Sequence, residues 1–255
     1  MSSLLLKIIA CLAMLSDHLG FHSVFGSEAA SIMRLFGRIA FPIYCYLIAF
    51  GYRKTHNKYK YLLRLIILAI ISEWPFQYCF GGRFEPPSFN NVFFTLALGL
   101  ASVICFDLIR NISLKLTALA FIPPILASLL AEFVLESDYG YAGVLLIFFF
   151  HLAGDNKLSV SLICAAFAAR KVIEAFAAAV FMVFTPPHTL NLPRFENNVW
   201  GLMQLFAAMA LIPILLCNGS RGYVPKSRAG RKVLQYSFYL FYPVHLLLIG
   251  ILIHA

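Results

Sequence analysis

Long apolar stretches separated by short polar ones fill this chain from end to end, and their length decides what they are. Crossing the hydrocarbon of a bilayer takes about 20 apolar residues as a helix, or about ten alternating ones as a barrel strand. Nine stretches of the helical kind fall near 4–21, 29–52, 60–79, 91–110, 114–135, 141–153, 158–185, 199–217 and 232–253. The stretch 141–153 is short, and 158–185 is long and interrupted by Arg170, Lys171 and Glu174. Strand-type alternation is absent, and the longest polar connections, near 81–90, 185–198 and 218–231, have the length of loops. The pattern predicts an all-α, polytopic transmembrane bundle of about nine spans, a single domain over residues 1–255.

Composition agrees, because 61% hydrophobic and 12% charged residues, with a mean hydropathy of +0.84, leave too little polar surface to coat a soluble globule. The first stretch lacks a small-residue cleavage site and carries Asp17 and His18 where a signal peptide's apolar core would continue, so it is expected to stay as an anchor. The net charge of +9 is concentrated in two loops, Arg53 to Lys60 and Arg221 to Lys232. Under the positive-inside rule both are cytoplasmic, which puts the N-terminus inside and, after nine spans, the C-terminus outside. No basic-aromatic patch of the nucleic-acid kind occurs. The six cysteines are isolated within apolar runs and show no paired metal spacing, so no metal is expected.

Ionisable groups inside apolar runs are costly in hydrocarbon and usually face a cavity or a partner. With about 1.5 Å of rise per residue, the assumed threading brings Asp17, His18, Arg34, Arg38, Glu73, Asn91, Asp138, Tyr139 and Gln204 to the outer half of one bundle, with Tyr239, Tyr242 and His245 at mid-depth. Asp17 and His18 are adjacent and point about 100° apart, so Asp17 is expected to meet a neighbouring helix, through Arg38 or Arg34, while His18 faces the cavity. A neutral imidazole there can act as a general base, and an arginine can steady an oxyanion. Alternatively the arginines serve only to pair with Asp17 or Glu73, and Tyr239, Tyr242 and His245, three apart on one helical face, are either a core face or a second contribution to the site. Lys7, separated from His18 by ten residues, either snorkels to the inner interface or meets a polar group.

The runs LKIIACLAMLSDHLG, LFGRIAFPIYCYLIAFGYRKT, YLLRLIILAIISEWPF, NNVFFTLALGL, DYGYAGVLLI, QLFAAMALIPILLCNGSRG and YLFYPVHLLLI, in that order, resemble the TraX family, linked to N-terminal acetylation of conjugative pilin. The spacing of Lys7 and His18 is also similar to the basic-residue and histidine pattern of integral-membrane acyltransferases, with lysine in place of the usual arginine. The resemblance implies a multi-pass protein of the bacterial inner membrane that moves an acetyl group from cytoplasmic acetyl-CoA to a pilin amine or another exported acceptor. In that reading His18, Asp17 and Arg38 carry the chemistry. Lys7, Arg34, Glu73, Asn91, Asp138, Tyr139, Gln204, Tyr239, Tyr242 and His245 surround donor or acceptor. A transporter, or an assembly factor that binds pilin without modifying it, would use the same polar cavity.

Overall fold

A computed structural model describes residues 1–83, 89–184 and 202–254, and among these every regular element is a helix. The polar segment 185–198 lies outside the described residues. Helix α1 (Ser3–Phe21) starts where the Ser2 hydroxyl accepts the Leu5 amide at 3.3 Å, satisfying one of the amides a helix start leaves without a partner. It folds back on α2 (Ser27–Gly37) through two glycines: a Cβ on Gly20 would lie 2.8 Å from the Ala30 carbonyl oxygen, and one on Gly37 would lie 2.7 Å from the Asp17 Cα.

The stretch read as one span at 29–52 is two helices, α2 and α3 (Ala40–Lys54), broken at Arg38 and Ile39. Hydropathy cannot register the cause. Pro42 in the first turn of α3 has no N–H to give to the Arg38 carbonyl, so the ladder fails there while the apolar run continues. Helix α4 (Lys58–Gly81) is capped by the Asn57 side chain, which accepts the Lys60 amide at 2.8 Å, and ends at Gly82 in the left-handed conformation. Helix α5 (Val92–Ile112) is capped by Asn91. The stretch near 114–135 begins as two 3-10 turns and becomes α6 (Ile122–Phe133) only where Pro123 and Pro124 can occupy a first turn. Helix α7 (Gly140–Ala153) matches its expected bounds closely, and α8 (Lys157–Phe184) is one continuous helix despite its internal charges. A shorter helical segment, α9 (Gln204–Leu215), 3-10 over Gln204–Ala210 and α only over Leu211–Leu215, precedes the long α10 (Arg228–His254).

Helix α5 lies among α4, α6 and α7; α3 bridges α1 and α7; and α10 packs along α4 and against α1. The α5–α7 crossing is close because Gly99 faces Ile147 and Gly143 faces Thr95 and Phe41. Leu100, Val103, Phe106, Ile147 and Phe150 form the dry centre. Outward, Leu12, Ile71, Leu129, Leu162 and Leu248 are well exposed. An apolar exterior around an apolar centre belongs in lipid. Five helical stretches among the described residues are long and apolar enough to cross a membrane: α1, α2 and α3 taken together, α4, α5 and α10; 119–133, α7 and α9 are apolar but shorter.

Candidate functional site

The polar residues expected to converge divide into three neighbouring groups. In the first, Asp17 of α1 pairs with the Arg38 guanidinium, as the charges and helical faces suggested. Their side chains are only 19% and 18% exposed. The absence of a side chain at Gly37 lets α1 approach closely enough for this contact. Arg38 then borders a polar cavity of about 480 Å³, whose wall includes Asp138, Tyr139, Gln204, Glu132 and Arg170. Gln204 is 6% exposed and its amide nitrogen has no hydrogen-bond partner among the described residues. The wall at Asp138 and Tyr139 is firmly held: the Asp138 amide donates to the Asn90 carbonyl at 2.7 Å, its carbonyl accepts from the Thr95 hydroxyl, and the Tyr139 ring stacks on Phe41 at 3.6 Å. Tyr139 sits at φ 64°, a left-handed conformation that a bulky residue adopts only where its surroundings impose it.

The second group is centred on His18, which is half-buried and, against expectation, is not among the residues that line the Arg38 cavity. Its Nδ1 lies 2.7 Å from Nε2 of His245 on α10, and His245 Nδ1 donates to the Phe241 carbonyl at 2.6 Å. His18 Nε2 has no hydrogen-bond partner among the described residues. Phe80 presents its ring at 5.5 Å and Tyr242 at 6.2 Å, and Tyr242 is itself buried against Phe93. One turn on, His22 Nε2 is 3.4 Å from the Cys79 sulfur; burial first, and then nearby His254, hold this imidazole below its ordinary pKa.

The third group is Glu73 with Asn91. Glu73 is 1% exposed and accepts from Asn91 Nδ2 at 2.6 Å, the Phe89 amide at 2.9 Å and Gln77 Nε2 at 3.1 Å. Asn91 also donates to the Ala69 carbonyl and accepts the Phe93 amide. This cluster ties the C-terminal end of α4 to the N-terminal end of α5, and neither residue lines the Arg38 cavity. The remaining expected residues are peripheral. The Arg34 guanidinium sits over Phe21 at 5.2 Å, the Lys7 ammonium over Phe238 at 5.7 Å, and Tyr239 is half-buried beside Tyr236.

A fourth cluster, at the opposite end of the bundle, escaped the sequence reading. Asp107 of α5 accepts from the Tyr52 hydroxyl at 2.6 Å and lies 3.1 Å from His151 Nε2, while Lys58 donates to Tyr52 at 2.8 Å. It joins α3, α4, α5 and α7. The signal was an acidic residue within the apolar run 91–110.

Residues 2–253 match the model of a protein family described as TraX protein. A curated relative from Dichelobacter nodosus, the probable fimbrial assembly protein FimC of serogroup H1, is 27% identical over 263 residues, covering 97% of this chain and 94% of the relative. No solved structure matches the chain.

Proposed function

Because the chain belongs to the TraX family, we propose that it is a membrane-embedded acetyltransferase, carrying an acetyl group from acetyl-CoA on the cytoplasmic side of a bacterial inner membrane to an outside acceptor, most simply a pilin amine. The observation that carries this reading is the state of His18: one ring nitrogen is tethered to His245 and the other is without a partner among the described residues. That is the arrangement of a general base, which must be fixed in direction yet able to take a proton.

In this reading His18 Nε2 withdraws a proton from the acceptor amine or hydroxyl as that atom attacks the thioester carbonyl. The carbonyl carbon–sulfur bond then breaks, and the proton passes to the departing thiolate. The Asp17–Arg38 pair keeps the base-bearing turn of α1 against α2; Arg38 Nε donates to the Arg34 carbonyl, and in this reading the N–H groups given to neither Asp17 nor Arg34 serve an oxyanion or carbonyl oxygen in the polar cavity that Arg38 lines. Lys7 and the basic segments around Arg53 and Arg231 lie toward the assumed inner end, where phosphates of the donor would meet them. Glu73 and Asn91 act indirectly, by fixing the outer ends of α4 and α5.

The test is mass spectrometry of candidate acceptors, pilins first, from cells with and without this chain: an added acetyl mass that depends on it is expected. Acceptors identical in mass but unassembled in its absence would favour the second reading, a non-catalytic assembly factor, which the name of the Dichelobacter relative supports.

The reading also requires nine crossings with the N-terminus inside. In a Cys105→Ser background, cysteines placed at His56 and Ser227 are expected to resist an impermeant thiol reagent in intact cells, whereas one at Glu136 labels. All three positions are exposed. Labelling at 56 and 227 with protection at 136 would invert the topology, and the inside donor could not then serve an outside acceptor.

A further inference from the structure

Two histidines joined by one hydrogen bond leave open which ring gives the proton, but here a third atom decides it. The Phe241 carbonyl oxygen can only accept, so the proton of the 2.6 Å contact is on His245 Nδ1. With the ring neutral, His245 Nε2 carries a lone pair, and the nitrogen 2.7 Å away, His18 Nδ1, must supply the proton. His18, neutral in turn, has its lone pair on Nε2, the nitrogen without a partner among the described residues.

The ring geometry agrees with a real bond rather than a stacking contact. The two planes are 5° apart and the centroids 5.0 Å apart. A ring atom lies roughly 1.1 Å from the centre of a five-membered ring with bonds of about 1.33 Å. A separation of 5.0 Å is therefore close to the longest that a 2.7 Å N···N distance permits, and nitrogens and centroids fall near one line. The lone pair of an imidazole lies in its plane, so a nearly coplanar pair is the best-aligned one. His245 is 5% exposed, with Phe241 stacked on it at 4.7 Å and Tyr242 edge-on at 5.7 Å, which hold its rotamer.

We infer that His245 is a positioning residue: anchored on the Phe241 carbonyl, it holds His18 in the tautomer whose Nε2 is available as base. Both histidines then carry their proton on Nδ1, the less populated tautomer of free histidine. The inference deepens the proposed acetyl transfer and rests on it for turnover, but the tautomer can be read without any activity.

Two measurements test it. In wild-type protein carrying ¹⁵N-labelled histidine, in detergent or lipid, the resonances that disappear on His18→Asn and on His245→Gln should belong to rings protonated on Nδ1 and bare on Nε2. Finding His18 protonated on Nε2 overturns the inference even if the protein acetylates. In the transfer assay, His245→Leu, which has no acceptor, is expected to lower kcat roughly 10²-fold with the acceptor KM unchanged. His245→Gln, whose Oε1 can stand where Nε2 stood, should recover most of the loss. A His245→Leu protein turning over within twofold of wild type, or a His245→Gln protein no better than it, overturns the inference. If His245→Leu does not accumulate, the wild-type spectrum decides. A wild-type protein that transfers no acetyl would remove the proposed function and leave the tautomer assignment standing.

Discussion

His18→Asn is expected to accumulate in membranes like the wild type and to transfer acetyl roughly 10²–10⁴-fold more slowly, the usual contribution of a positioned general acid or base. Asparagine is the informative replacement because its amide nitrogen overlays the imidazole Nδ1. It can still donate to His245, so the tether between α1 and α10 survives while the base does not. His18→Ala removes both and leaves the His245 acceptor buried without a partner, at a stability cost of about 1–3 kcal/mol. The measurement is transfer of labelled acetyl from acetyl-CoA to acceptor in membranes matched for protein. Turnover of His18→Asn within twofold of wild type would end the assignment of His18 as base.

The second large effect concerns the ion pair one residue away. Asp17 and Arg38 are each less than one-fifth exposed within apolar helices, so removing one partner strands a charge. Losses of that kind are about 3–5 kcal/mol. Asp17→Ala and Arg38→Ala are each expected to melt well below wild type in detergent, and the double replacement should lose clearly less than the two singles together, because it leaves no stranded charge. Strict additivity would show that the two side chains do not stabilise each other. Arg38→Lys separates structure from chemistry. It keeps the charge for Asp17 but not the planar fork that lets one guanidinium face both Asp17 and the cavity, so accumulation near normal with poor transfer is expected. Full activity of Arg38→Lys would reduce Arg38 to a partner of Asp17.

Asp17 and Arg38 were also the part of the site most legible from sequence. Each is a charge in an apolar run that needs a counter-charge on an adjacent helix, so desolvation narrows the partner of Asp17 to Arg38 or Arg34, and the structure selects Arg38. His18 was legible in the same way, as a polar group expected on a different face from Asp17. Its contact with His245 was not. Periodicity says which residues of one helix share a face, and says nothing of which distant helix comes to lie there. Glu73 and Asn91 illustrate the opposite difficulty: a buried carboxylate and amide look alike in sequence whether they await a ligand or satisfy each other, and here they bond to each other and to Phe89 and Gln77. Asp107 went unnoticed because it falls near the end of an apolar run, where an interfacial position explains a charge adequately. The break between α2 and α3 turned on one missing amide proton at Pro42, an event that no hydropathy average records.

The contact between His18 and His245 joins residues 227 positions apart, on the first helix described and the last. A chain emerging from the ribosome inserts α1 early, and its histidine has no tether until α10 has been made, inserted and docked. Proteins cut short before residue 245 can retain most of the bundle and still lack the bond altogether. The order of synthesis thus delays the orientation of the His18 ring until α10 has docked, so a protein built only as far as α9 does not yet contain the aligned pair.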